Sequence, residues 1–295
     1  MNSILVPLDG STFAEAALPI ALRFARDTKA TLALVAVLED EWVQAGSWPA
    51  DSLRAELEEY LEQVARKLAE HDSPRVTLAV ADGPVARTLE HYTAGEGVRF
   101  IVMSTHGRGA VNRAWLGSVA DHVVRHVEIP VVLVRPLEPL PESLSEAPPF
   151  RAILVPLDGS SRAEGVLEWV VRIAQPGRSE CRLLTVVPPP PPFTTPYLPH
   201  AAREMRESLE CGRERAEKYL AGTAQRLREA GLAVTTNVEV GMRPAAGILR
   251  AADDPTVDLV AVATHGRSGV SRIMLGSVAD KVVRGADLPV LVVRS

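Results

Sequence analysis

An eight-residue string, Ile-Leu-Val-Pro-Leu-Asp-Gly-Ser, stands at Ile4 to Ser11 and again at Ile153 to Ser160. A second match closes each half. Thr105-His106-Gly107-Arg108 through Leu116-Gly117-Ser118-Val119-Ala120-Asp121 is echoed by Thr264-His265-Gly266-Arg267 through Leu275-Gly276-Ser277-Val278-Ala279-Asp280. A chain that repeats both ends of a unit is one fold written twice, so chemistry is to be sought where the copies agree. The 295 residues suffice for two domains that each bury a core. The expected division is a first domain over 1–136, a Pro- and Glu-rich linker over 137–150, and a second domain over 151–295.

Each half alternates short Val/Ile/Leu runs with helical stretches, the pattern of parallel strands joined by right-handed helical crossovers. Strands are expected at Ile4 to Leu8, Thr31 to Leu38, Arg75 to Val80, Phe100 to Ser104 and Val131 to Val134. The second set is Ile153 to Leu157, Arg182 to Val187, Val234 to Val240, Leu259 to Thr264 and Val290 to Val293. Thr12 with Glu15 and Ser161 with Glu164 have capping-box spacing, as do Ser118 with Asp121 and Ser277 with Asp280. Leu53, Leu57, Leu61, Val64 and Leu68 share one helical face, which marks that helix as packing. Pro19 is expected to bend the first helix, because proline removes a backbone donor and crowds the preceding turn.

The repeat is imperfect in length. Asp9 to Gly107 spans 98 positions and Asp158 to Gly266 spans 108. The expected seat of the excess is the stretch with Pro188 to Pro192, Pro196 and Pro199, read as an extended surface loop or a partner-docking motif. Pro136 to Pro149, with Glu138, Glu142 and Glu146, reads as the linker.

Composition narrows the partners. A net charge of -5 with mixed signs argues against a nucleic-acid partner. No apolar run reaches the length of a membrane span. Met1 to Leu8 lack the features of an export signal, and only Cys181 and Cys211 are present, so a cytoplasmic, reducing location is expected. A single bridge between the two cysteines stays open.

In an open parallel sheet the ligand crevice lies beyond the carboxyl ends of the strands, where strand order reverses. Asp9 and Asp158 end the first strands there. Gly107 and Gly117, with Gly266 and Gly276, would let backbone amides approach an anion, and the following helix adds unpaired N–H groups. Ser118 and Ser277 either donate to such an anion or cap their helices; Asp9 and Asp158 either take a ribose, base or cation or cap theirs. No Gly-Lys-Ser/Thr motif is present, which excludes a Walker-type phosphate loop. The only lysines are Lys29, Lys67, Lys218 and Lys281, none of them in these loops. Phosphate charge would fall to backbone amides, a divalent cation, or Arg108, Arg113, Arg267 and Arg272. His106 and His265 have no second ligand at metal spacing and read as hydrogen-bonded loop residues or catalytic bases, with no metal site. No nucleophile elbow or triad is visible.

These strings resemble the universal stress protein family, in its tandem two-domain form, from Ile4 to Pro136 and from Ile153 to Arg294. The resemblance implies an α/β fold of two tandem Rossmann-like doubly wound domains, each a five-stranded parallel sheet of order 3-2-1-4-5 flanked by helices. It also implies ATP binding through a Gly-x2-Gly-x9-Gly-Ser/Thr signature, with Mg2+ or Mn2+ as companion ion. By position, the signature maps to Gly107, Gly117 and Ser118 and to Gly266, Gly276 and Ser277, followed by Val119 and Val278. The first glycine is replaced by Ser104 and Ala263. Adenine-side contacts map to Pro7, Asp9 and Val37 and to Pro156, Asp158 and Val186. Family members pair their last strands antiparallel, which implies self-association: Pro130 to Arg135 and Pro289 to Arg294 would otherwise be sheet edges. A linker of about fourteen residues reaches on the order of 40 Å, so an internal pseudo-dimer is expected, with a homodimer as the other form of the same pairing.

Three functions follow from this reading. The first is a non-catalytic, ATP-binding regulator of stress survival that acts on an unidentified protein partner. The second is a nucleotide-free interaction module. The third, an adenylating enzyme, lacks a Ser-Gly-Gly-type pyrophosphate loop or a histidine-rich adenylation motif.

Overall fold

The computed structural model describes residues 2–39, 49–69, 74–95, 97–106, 116–136, 150–190, 199–264 and 275–295. Gly107, Gly266, His265, the four loop arginines and most of the expected linker lie outside this set. The first half runs β1 (Ser3–Pro7), α1 (Thr12–Glu15), α2 (Leu18–Thr28), β2 (Thr31–Leu38), α3 (Ala50–Ala69), β3 (Val76–Asp82), α4 (Val85–Ala94), β4 (Val98–Ser104), α5 (Ser118–His126) and β5 (Val131–Val134). The second half repeats it as β6 (Ala152–Pro156), α6 (Ser161–Glu164), α7 (Leu167–Ile173), β7 (Glu180–Val187), α8 (Pro199–Glu229), β8 (Ala233–Val240), α9 (Pro244–Ala252), β9 (Val257–Thr264), α10 (Ser277–Gly285) and β10 (Val290–Arg294).

Within each half the order is 3-2-1-4-5 and every pairing is parallel. The halves do not form separate sheets. β5 and β10 pair antiparallel, with Val290 opposite Leu133, Leu291 opposite Val132 and Val292 opposite Val131, which makes one ten-stranded sheet. Each last strand therefore has a neighbour on both sides, and neither is left as an edge for a second chain.

Strand parity assigns the faces. Ile4, Val6 and Leu8 enter one apolar layer, with Leu22 and Phe24 of α2 and Leu57, Leu61, Val64 and Leu68 of α3. Leu5, Val35, Ile101 and Leu133 enter the other, against α4 and α5. Both layers run through both halves.

Several local expectations need correction. The caps of α1 and α6 are Ser11 and Ser160, one residue before the expected Thr12 and Ser161, and they accept from the amides of Ala14 and Ala163. Glu15 and Glu164 do not close a capping box, because with Ser11 and Ser160 as caps the reciprocal position falls on Ala14 and Ala163, and the glutamates bond Tyr60 and Arg226. Pro19 does not bend a helix but sits in the first turn of α2, where a missing N–H costs nothing. The second half breaks between α6 and α7 without a proline, so the break belongs to the fold. The length excess falls in a helix: α8 has 31 residues and α3 has 20, while the preceding connections, 39–49 and 188–198, are equally long. Pro188 to Pro190 are irregular, and 191–198 lie outside the described residues. Phe150, expected in the linker, is 1% exposed. Both cysteines are free; burial pushes the Cys181 thiol up to about 12, while Cys211 is exposed.

The seam is secured on both faces. On one, Phe24 packs against Phe100 and Phe150, and Phe100 against Trp169, at centroid separations of 4.9 to 5.7 Å. There the buried Arg23 guanidinium lies 3.5 Å above the Phe150 ring and 3.7 Å from Asp258, and burial lowers it to about 10. Asp27 accepts from Gln175 across the same boundary, and burial raises its carboxyl above the ordinary value, outweighing the pull of Arg23. On the other face, Asp121–Arg125 and Asp280–Arg284 cross-link through Arg284 to Asp121 at 3.5 Å and Arg125 to Asp280 at 4.0 Å. Arg135 donates to Asp287 and to the Arg284 carbonyl, and Arg294 donates to the Arg125 carbonyl.

Two outcomes are expected. Leu291→Ala removes a fully buried side chain from the seam and should lower the unfolding free energy by about 2–5 kcal/mol in urea titration; a loss below about 1 kcal/mol would show the seam relaxing around the change. Asp27 favours its neutral form in the fold, so its contribution is present in acid and lost as pH rises through the raised value. Asp27→Asn should therefore melt higher than the parent near neutral pH, with the gap closing in acid; equal melting across the range refutes that account.

Candidate functional site: two matched crevices

The turn after β1 is built by its own residues. Asp9 Oδ1 accepts from the Ser11 amide at 2.9 Å and the Ser11 hydroxyl at 2.6 Å, and Gly10 takes a φ of 79°. Asp158 repeats both distances with Ser160, and Gly159 has a φ of 85°. Each aspartate thus orders the cap without being the cap. β4 delivers Ser104, Thr105 and His106 beside this turn, and the Gly117 amide returns to the Thr105 carbonyl at 2.8 Å. A Cβ at Gly117 would stand 2.9 Å from that oxygen, so close approach is what requires glycine here. In the second half the Gly276 amide donates to the Thr264 hydroxyl instead, at 3.2 Å.

Gly117 and Gly276 are the N-caps of α5 and α10, which moves Ser118 and Ser277 into the first turn. Their hydroxyls do not cap, and among the described residues they have no hydrogen-bond partner. Three first-turn amides in each helix have no acceptor within their own helix. Asp121, expected to complete a cap, bonds Arg125 instead, and this guanidinium holds its carboxyl below the ordinary value. The negative charge expected beside an anion is thereby offset.

These pieces surround a cavity of about 410 Å³ in the first half. Pro7, Asp9, Val37, Ser104, Gly117, Ser118 and Val119 all line it. The second half has a cavity of about 380 Å³ lined by Pro156, Asp158, Val186, Ala263, Gly276, Ser277 and Val278. Every anticipated residue that is described is therefore brought to one of two crevices, while Gly107 and Gly266 lie outside the described residues. Because the sheet reverses direction at the seam, the crevices open at opposite ends of it.

Sequence reasoning missed the apolar walls, Val35, Val85, Leu89 and Met103, and the carboxylate of Glu39 at the lip. The signal for two of these was period two: Val35, Val37 and Glu39 alternate along β2 and its exit. Pro188 takes the place of Glu39 in the second half and does not line its cavity. The arrangement offers an apolar slot toward β2 and α4, and donors toward the start of α5. No three His, Cys, Asp or Glu side chains among the described residues are grouped to hold a metal. Among the described residues no helix is long and apolar enough to cross a membrane.

The family model described as the universal stress protein family matches residues 1–135 and 149–294. A universal stress protein of Mycolicibacterium smegmatis is 29% identical over 303 residues, covering 99% of this chain and 96% of its own length. One from Mycobacterium tuberculosis strain H37Rv is 28% identical over 311 residues, covering 99% and 94%. The crystal structure of a universal stress protein from Archaeoglobus fulgidus shares the fold with a TM-score of 0.71 at 20% identity, covering 99% of this chain and 98% of that one.

Gly117→Val should cost about 1–3 kcal/mol of stability, read by denaturant unfolding, because the new side chain meets backbone that cannot rotate away. Unchanged stability would mean that the Thr105–Gly117 closure yields easily.

Proposed function

The chain belongs to the universal stress protein family, and from that premise we propose that its crevices bind adenine nucleotide, ATP with Mg2+ or Mn2+ carried on its phosphates. The base would lie in the apolar slot beside Val37 or Val186, and the ribose beside Asp9 or Asp158. The phosphates would meet the first-turn amides and the hydroxyl of Ser118 or Ser277, where the helix dipole favours an anion. The observation that carries this reading is the recurrence, at matched positions of both halves, of one cavity with one helix start and one uncommitted serine at its edge.

The protein would act in the cytoplasm as a non-catalytic regulator. Bound nucleotide would stabilise the folded state and change the surface shown to a protein partner. Each carboxylate at the end of a first strand accepts a serine amide and hydroxyl through Oδ1, which is a turn-ordering role. The second reading, a nucleotide-free interaction module, is favoured by one observation: Ser104 and Ala263 stand where the family signature has its first glycine.

Thermal unfolding with and without ATP and magnesium separates the two. At a hundredfold excess over the dissociation constant each occupied site adds about 2.7 kcal/mol, a shift of several degrees. An unmoved melting curve, with no nucleotide released from the purified protein on denaturation, favours the interaction module.

A further inference from the structure

Polar side chains line the first crevice unevenly. Asp9, Ser104, Thr105, His106 and Ser118 reach it from the exit of β1, from β4 and its exit, and from the start of α5. β2 with its exit and α4 contribute the apolar Val35, Val37, Val85 and Leu89, and one polar side chain, Glu39. Glu39 is half-buried and has no hydrogen-bond or ion-pair partner among the described residues. In a mostly apolar pocket a few placed polar groups fix the orientation and identity of the ligand. A carboxylate accepts hydrogen bonds and donates none, so the part of a ligand that meets it must carry a donor.

Building on the nucleotide reading above, we propose that Glu39 selects the base in the first crevice: its carboxylate accepts from the 6-amino group of adenine, and the second crevice lacks this discrimination. Two residues of strand advance the chain by about 7 Å. Glu39 therefore stands one side-chain step beyond Val37 on the crevice face, at the outer edge of a base seated beside Val37. An amino group completes the carboxylate there, while a base without that donor leaves it unpaired and partly desolvated, which costs affinity. The same charge fixes the direction of entry. A nucleotide turned end for end would set its phosphates against Glu39, whereas the accepted orientation sends them to the first-turn amides of α5.

The second half supplies the contrast. Val186 repeats Val37, and the position matching Glu39 is Pro188, which has neither a carboxylate nor an N–H and does not line that cavity. β7 and α9 offer the second crevice Leu184, Val186, Pro244 and Ile248, all of them apolar. The carboxylate in its described lining is Asp158, at the exit of β6 and bound to Ser160. A base there would be held by apolar contact and main-chain groups, with no described side chain on that wall to read its amino edge.

The test compares ATP with purine riboside triphosphate, which lacks only the 6-amino group, each in the presence of magnesium. In the ¹⁵N-labelled full chain the backbone amides of Ser118 and Ser277 report the two crevices separately. At Ser118 the parent should bind the analogue about tenfold more weakly than ATP, the lower end for a hydrogen bond to a charged group because Glu39 is only half-buried. At Ser277 the preference for ATP should be smaller. Glu39→Leu keeps a side chain of similar size without an acceptor and should bring the ratio at Ser118 down to that at Ser277; Glu39→Gln retains a neutral acceptor and should fall between. A preference at Ser118 that Glu39→Leu leaves unchanged, or a response to ATP at Ser277 alone, overturns the proposal and leaves nucleotide binding standing. Should the variants fail to fold, the parent decides: equal ratios at the two amides sink the selectivity. ATP that moves neither amide overturns the nucleotide reading as well.

Discussion

The antiparallel pairing of β5 with β10 is the constraint on which the rest of the molecule is arranged. A parallel sheet that ended at either strand would expose a row of unpaired N–H and C=O groups on an apolar ribbon, Val131–Val134 or Val290–Arg294. Pairing the two ribbons satisfies those groups and carries both apolar layers across the boundary. It also sets where the two crevices lie. Strands of the two halves run in opposite senses, so their carboxyl ends, and the crevices beyond them, lie at opposite edges of one sheet.

The seam combines dry and charged contacts in a way that bears on how tightly the halves are coupled. One face has tilted and edge-on aromatics around Arg23, a guanidinium that burial makes more willing to lose its proton. The other has a crossed set of Asp121, Arg125, Asp280 and Arg284, partly open to water. Exposed ion pairs contribute little on their own, so the apolar face supplies most of the cohesion and the charged face supplies register. The charged set also begins in the first turns of α5 and α10, the helices that edge the two crevices. Each crevice is thus one helix away from the seam.

Within the crevices, main-chain groups carry most of the design. The proposed phosphate site has no lysine in its described lining and would rely on amides held in place by the fold, and Gly117 is required because its neighbour is a carbonyl oxygen. Ser118 and Ser277 keep their hydroxyls uncommitted because the glycine before each takes the cap position. The halves differ where side chains replace backbone: Glu39 against Pro188, Ser104 against Ala263, and the Gly117 bond to a carbonyl against the Gly276 bond to a hydroxyl.

The sequence by itself determined the duplication, the ten strands to within a few residues and the strand order through the family resemblance. Glycine spacing and the repeated strings, which are local properties of the chain, also marked Asp9, Gly117 and Ser118 with Asp158, Gly276 and Ser277, and the resemblance added Pro7, Val37, Ser104 and Val119 with their counterparts, while Val35, Val85, Leu89, Met103 and Glu39 went unmarked. Only the tertiary structure decided that the last strands pair within the chain. It also decided that Ser11 and Ser160 cap where Thr12 and Ser161 were expected, and that Asp121 turns to Arg125. The extra length entered α8 and not a loop, and Phe150 joined the core. Each of these is a competition between partners that are adjacent in space and distant or equivalent in sequence. Spacing offers Ser118 and Gly117 alike as a cap; the close approach of Gly117 to Thr105 selects one. Nor does any pattern of letters reveal that the His106 ring contacts the Thr105 hydroxyl at Nδ1 while its buried Nε2 has no hydrogen-bond partner among the described residues, which depends on burial by the assembled fold.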